Sequence, residues 1–237
     1  MTGQAIDQTI DQATHLLNKH PFRNRPNTAT QYNEQRTMNP KKTIIDGLLG
    51  VVLCGGRATR MQGLDKGLVL FKERPLASYG IHALANCQRV IVNANRNMDV
   101  YKETFNLPVI PDDNQAFDGP LAGLLAAMRF AHAQNLTWVI SVPCDSPFIS
   151  SDYVSTMWQA TAAHPQRIFI ANDGYNQPVF TLISTDLIDE LAHFLTGDHK
   201  KILKFYQAIG YQTVSFNTST AFINLNSLTD LDAQSAQ

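Results

Sequence analysis

The chain has 237 residues, 44% hydrophobic and 16% charged, with a formal net charge of -1. That length and mix fit one sizeable α/β domain with a real core and exclude a disordered chain. The near-neutral charge argues against non-specific binding to nucleic acid or to a membrane surface. No apolar run is long enough to span a bilayer, and the N-terminus lacks the basic-then-apolar layout of a signal peptide, so a cytoplasmic location is expected. Cys54, Cys87 and Cys144 are odd in number and widely spaced, with no CxxC among them, which argues against a disulfide framework or a structural zinc site.

Residues 1–40 read as a polar N-terminal extension, with a weak helical patch from Ile6 to Leu17 and breaks at Pro21, Pro26 and Pro40. Met38 offers an alternative start of the chain. Residues 41–237 read as a single domain. Leu48 to Cys54 is an apolar run stopped by Gly55-Gly56, the pattern of a buried strand in a parallel sheet. The loop that follows carries Arg57, Arg60, Asp65 and Lys66. Gly67 to Phe71 is a short apolar segment, and Pro75 suits the first turn of a helix that runs to about Asn86. Arg89 to Ala94 and Leu107 to Pro111 predict two more strands. Asp118-Gly119-Pro120 turns into a helix from Leu121 to Gln134, and Trp138 to Val142 predicts the fourth strand. A helix follows from Ser151 to Ala163. Arg167 to Ala171 and Pro178 to Ile183 predict a hairpin around Asn172-Asp173-Gly174. Helices from Leu187 to Leu195 and from Lys200 to Ile209 come next, then short strands at Tyr211 to Ser215 and Phe222 to Leu225.

Strand and helix alternate through residue 163, which predicts a parallel sheet with helices on both faces and a ligand at the carboxyl ends of its strands. Those ends carry Gly55-Gly56, Asn93, Asp112-Asp113 and Asp145. Glycines there let backbone N–H groups approach a ligand, and basic side chains just beyond suit a polyphosphate. Taken singly, each feature has a plainer reading. The glycines suit an ordinary strand-to-loop turn, Asn93 suits turn chemistry, and Asp145 suits a helix N-cap or a structural salt bridge. The convergence of four strand ends carries the functional reading. The loop is neither GxxxxGK[ST] nor GxGxxG. The seven histidines form no HExxH, and no GxSxG elbow occurs. What fits is magnesium-assisted nucleotidyl or phosphoryl transfer, with Asp145 on Mg²⁺ and Lys66 and Arg60 facing phosphoryl charge.

Val52 to Met61, with Gly63 and Asp65-Lys66-Gly67, resembles the signature loop of nucleotidyltransferases of the LAGGxxxRMGxxK type. Val92-Asn93-Ala94-Asn95-Arg96, Gly119-Pro120-Leu121-Ala122-Gly123, Pro143-Cys144-Asp145-Ser146-Pro147 and Asn224-Leu225-Asn226-Ser227 narrow the resemblance to the molybdenum cofactor guanylyltransferase family, over roughly Gly47 to Asp232. The resemblance implies a three-layer, Rossmann-like α/β fold with a mixed, mostly parallel central sheet. It implies transfer of GMP from GTP to molybdenum-bound molybdopterin with release of pyrophosphate. Sugar-nucleotide and cytidylyl enzymes share the loop, so cytidylyl transfer to the same pterin or nucleotidyl transfer to a sugar phosphate is the alternative, and a non-catalytic nucleotide-binding protein is a third. By position, Leu53, Cys54, Gly55, Gly56, Lys66, Asn93, Asp112 and Asp145 would bind GTP. Asp145 would hold Mg²⁺, with Lys66, Asp145 and Arg60 as the catalytic groups. Gln177, Asn224 and Asn226 would line the pterin side. Transient contact with cofactor-biosynthesis and molybdoenzyme partners would follow. Three positions depart from the family pattern: Cys54 for the usual Ala, Gln62 where a Gly often follows the Met, and Gln177-Pro178 where many members carry His-Pro.

Overall fold

The computed structural model describes residues 43–55, 65–113, 119–197, 201–217 and 220–225. The N-terminal extension, the Met38 start, Gly56, Arg57, Arg60, Gln62, Asp118 and Asn226 lie outside them. Strand β1, Ile45–Leu53, is buried from Leu48 onward and is an interior strand of the sheet. Two short strands, β2 Leu70–Phe71 and β3 Arg74–Pro75, precede helix α1 Leu76–Ala83. Next come β4 Cys87–Asn93, α2 Met98–Phe105, β5 Val109–Ile110, α3 Pro120–Ala133, β6 Trp138–Pro143 and α4 Tyr153–Ala163. The hairpin β7 Ile168–Asn172 and β8 Asn176–Ser184, then α5 Ile188–Leu195, α6 Ile202–Ile209 and β9 Gln212–Ser215, complete the described elements.

The main sheet has seven strands in the order β5-β4-β1-β6-β8-β7-β9. Every pairing is parallel except those of β8 with β6 and with β7. Six strands therefore run one way and β8 runs against them, which is the mixed, mostly parallel sheet expected. The two-residue alternation of strand side chains places helices on both faces. Leu49, Val51 and Leu53 of β1 share a core with Leu121, Leu124 and Met128 of α3, Leu191 of α5 and Phe205 of α6. Val52 of β1 and Val142 of β6 point the other way, against Gly80 of α1. Trp138 and Phe180, on that same side, stack edge-on to Trp158 and Tyr153 of α4. The result is three layers.

Local departures from the sequence reading have physical causes. The Gly67–Phe71 segment splits into a 3₁₀ turn, Lys66–Leu68, and a small antiparallel hairpin whose tip, Lys72-Glu73, takes left-handed φ values of 45° and 64°. That tip chemistry suits the right-handed twist of a two-residue hairpin. Pro75 belongs to β3 and immediately precedes α1, which ends at Ala83, short of Asn86. Helix α2 is short and mostly polar: Met98, Tyr101 and Phe105 keep helical spacing, but only Tyr101 is buried. Left-handed asparagines, Asn97 and Asn106, bound it at both ends. Phe222 to Leu225 is not a strand. It crosses the strand ends, with the Leu225 N–H donating to the Asp145 carbonyl at 2.9 Å. Its Phe222 is buried against Phe180 and Phe216, not by strand alternation.

Candidate active site

The carboxyl ends of β1, β4, β5 and β6 meet along one edge, and the strand registers fix the meeting. Leu53 pairs with Asn93 on one side and with Pro143 on the other, so the residues just past each strand come level with one another. The Leu53 carbonyl accepts from the Cys144 N–H at 3.1 Å, and the Cys54 N–H donates to the Asn93 carbonyl at 2.8 Å. The sheet therefore takes up two backbone groups of the stretch expected to meet a nucleotide. The Cys54 carbonyl and Gly55 lie beyond the ladder.

Two clusters of side chains sit on this edge. The first is built on Asp112, which is 7% exposed at the end of β5. Asn93 Nδ2 donates to one carboxylate oxygen at 2.8 Å and Asn95 Nδ2 to the other at 2.7 Å. Asn95 Oδ1 in turn accepts from the Asp112 N–H at 2.8 Å. A buried carboxylate is tolerable only when it is hydrogen-bonded in this way, and two amides aim both of its oxygens. Asn93 is itself pinned by α3: a Cβ at Gly123 would collide with Asn93 Oδ1. Gly55 borders the same cluster, since a Cβ there would stand 3.6 Å from Asn93 Oδ1 and 4.0 Å from Asp112 Oδ2.

The second cluster is built on Asp145, just past β6. Lys66 Nζ contacts Asp145 Oδ2 at 2.5 Å, with the two side chains 22% and 13% exposed. The other oxygen, Asp145 Oδ1, is buried and has no hydrogen-bond partner among the described residues. Ser146 Oγ donates to Asn224 Oδ1 at 2.5 Å, so Asn224 reaches the Asp145 loop. Gln177 lies on β8, the sheet neighbour of β6, and its amide donates to Asp173 within the β7–β8 hairpin at 3.1 Å.

Lys66 is positioned by residues that the sequence reading did not single out. Asp65 accepts from the Tyr101 hydroxyl at 2.5 Å and from Asn97 Nδ2 at 3.1 Å, both at the start of α2. Gly67 leaves room for that hydroxyl, since a Cβ at Gly67 would overlap it. Burial, followed by the nearby thiols and Asp65, pushes the Tyr101 pKa far up, so the phenol stays a proton donor to Asp65. Burial, then contact with Cys144, also raises the Cys54 thiol well above its usual range. Cys54 therefore remains a neutral thiol, and with the buried Cys144 it acts as a small apolar filler. The signals for Asn95 and Asp65 lay inside motifs already quoted. Tyr101 lies outside those motifs, on the short polar helix α2.

Among the described residues no cluster of three His, Cys, Asp or Glu side chains could enclose a metal ion. A single carboxylate with one unsatisfied oxygen does suit Mg²⁺, which commonly binds through one or two carboxylates and substrate phosphates.

This edge therefore brings together a doubly hydrogen-bonded Asp112, the Lys66–Asp145 pair and the Ser146–Asn224 contact. Residues 50–212 match the model of the MobA-like NTP transferase domain. The chain is 38% identical over 201 residues to a molybdenum cofactor guanylyltransferase of Burkholderia vietnamiensis, covering 81% of this chain and 97% of the relative. It is 38% identical over 192 residues to one of Yersinia pestis, covering 78% of this chain and 93% of the relative. The molybdopterin-guanine dinucleotide biosynthesis protein A of Archaeoglobus fulgidus shares the fold at a TM-score of 0.66 and 19% identity, over 80% of this chain and 97% of that one. A 4-diphosphocytidyl-2C-methyl-D-erythritol synthase of Anaerococcus prevotii shares it at 0.61 and 12% identity, over 81% and 96%. The chain belongs to the MobA-like nucleotidyltransferase family.

Proposed function

We propose that this enzyme transfers GMP from GTP to molybdenum-bound molybdopterin, forming the guanine dinucleotide cofactor and releasing pyrophosphate. The observation that carries the reading is the Asp112 carboxylate, buried and aimed by Asn93 and Asn95 at the same sheet edge as Lys66 and Asp145. Guanine offers paired donors at N1 and N2, and a carboxylate accepts them. Cytosine offers only one exocyclic amine on its pairing edge.

In this reading the base sits against Asp112, Asn93 and Gly55, and the triphosphate runs toward Lys66. An oxygen of the acceptor's terminal phosphate attacks the α-phosphorus of GTP. The bond from the α-phosphorus to the bridging oxygen breaks, and the pair of electrons leaves with pyrophosphate. The attacking phosphate is already ionised at neutral pH, so no side chain needs to remove a proton. Catalysis then rests on positioning and on neutralising charge at the transferring phosphoryl group. Lys66 supplies a fixed positive charge for the phosphates, and Arg60 would add another. Asp145 would hold Mg²⁺, which when bound withdraws charge from phosphate oxygens. Asn224, with Asn226 and Gln177, would line the acceptor side. We place the reaction in the cytoplasm, with transient hand-over to cofactor-biosynthesis and molybdoenzyme partners, and assign it to residues 41–237.

Turnover with molybdopterin, Mg²⁺ and each nucleoside triphosphate in turn tests the reading. Pyrophosphate release specific to GTP is expected. A preference for CTP would replace guanylyl by cytidylyl transfer.

A further inference from the structure

The Lys66–Asp145 contact is more than a phosphate-binding lysine standing near a metal-binding acid. We propose that the Lys66 ammonium and a divalent cation compete for the Asp145 carboxylate, so that this pair couples cation binding to nucleotide binding. The inference rests on the reading of Asp145 as the cation ligand and extends it to the order and energetics of assembly.

Three observations carry it. First, the ammonium already sits on Asp145 Oδ2 at 2.5 Å, and both side chains are largely shielded from water. A shielded contact of this kind is screened far less than a surface pair. Second, Asp145 Oδ1 is buried and has no partner among the described residues, so the ammonium satisfies only half of the carboxylate. A divalent ion placed on Oδ1 with the ammonium still on Oδ2 would set three positive charges around one negative charge. Among the described residues no group of three or more acids, histidines or cysteines gathers there to offset the excess. Third, the backbone of Lys66 is held. Asp65 is fixed by Tyr101 and Asn97, and Lys66 opens the 3₁₀ turn in which its carbonyl accepts from the Val69 N–H at 3.3 Å. Relief therefore comes from the flexible four-carbon stem of the lysine, which can swing without moving the loop.

The consequence is a hand-over. A triphosphate gives the ammonium a further anionic partner, which weakens its hold on Asp145 and makes room for the cation. By linkage, the cation then favours the nucleotide to the same degree. Without a triphosphate, the lysine acts as an internal cation and holds the divalent ion off.

The test needs neither GTP nor the pterin. Mn²⁺ serves as an EPR-visible probe, titrated into the full chain as wild type, Lys66→Met, Lys66→Gln and Asp145→Asn. The two lysine variants are expected to bind Mn²⁺ at least about tenfold more tightly than wild type, and Asp145→Asn to lose the site. Affinity in both lysine variants equal to or below wild type would overturn the proposal, as would wild-type Mn²⁺ binding by Asp145→Asn. Removing the lysine exposes the fold to an unpaired buried carboxylate, so thermal melting provides a second measurement. Mn²⁺ is expected to raise the Tm of Lys66→Gln more than that of wild type. An equal or smaller rise counts against the competition. An error in the assigned base or acceptor leaves this outcome unchanged, and a failed competition leaves GTP turnover unaffected.

Discussion

At the scale of single residues, the edge of the sheet separates two tasks that carboxylates perform differently. Asp112 is an acceptor with both oxygens aimed by amides, whereas Asp145 has one oxygen on an ammonium and one unsatisfied. The same substitution should therefore act differently at the two sites. Asp145→Asn keeps a similar shape and loses the charge that phosphate chemistry needs, so turnover is expected to fall by about 10²-fold or more while the circular dichroism spectrum is retained. Full activity in that variant would remove Asp145 from the metal site. Asp112→Asn sets an amide against the donors of Asn93 and Asn95, leaving at least one of them without an acceptor. A loss of about 1–3 kcal/mol in denaturant melts is expected, with a higher KM for GTP and little change in kcat. Lys66→Ala should weaken GTP binding, and an unchanged affinity by calorimetry would refute its phosphate role.

At the scale of elements, two helices set where Asn93 and the Lys66 loop stand. Helix α3 approaches Asn93 so closely that only glycine fits at position 123. Gly123→Ala is expected to push Asn93 off Asp112, costing about 1–3 kcal/mol of stability and raising the KM for GTP. A variant with wild-type KM would show that Asn93 can yield without losing its place. Helix α2 fixes the lysine loop through Tyr101 and Asp65. Tyr101→Phe keeps the buried ring and deletes the bond, an expected loss of about 1 kcal/mol. If the bond positions Lys66, the combined effect of Tyr101→Phe and Asp65→Asn on kcat/KM should fall short of the sum of the single effects. Additive effects would mean two independent faults. This helix was invisible in the sequence for a plain reason. It spans eight residues, and Met98, Tyr101 and Phe105, though helically spaced, are diluted by the charged residues between them. Phe222 to Leu225 shows the opposite error: Phe222 and Leu225 are buried on a loop that crosses the strand ends, Ile223 is exposed, and the segment resembles a strand only in composition.

At the scale of the whole molecule, one edge of a seven-stranded sheet collects residues more than a hundred positions apart, from Leu53 to Asn224. If residues 41–237 carry the whole activity, deleting 1–40 should leave kcat/KM within about twofold and the melting temperature unchanged. A large loss of either would bring the extension into the catalytic unit. The amino-acid sequence by itself determined the strand–helix alternation, the strand-end positions of Gly55, Asn93, Asp112 and Asp145, and the family. These are local properties: buried strands read as apolar runs, and strand ends carry the residues that interrupt them. Only the tertiary structure decided that Asn95 completes the cradle of Asp112, that Tyr101 anchors Asp65, and that Lys66 already rests on Asp145. Each of those is a hydrogen bond or ion pair between residues 17 to 79 positions apart. Such a bond depends on the angle and depth at which two elements pack, and no spacing along the chain records either.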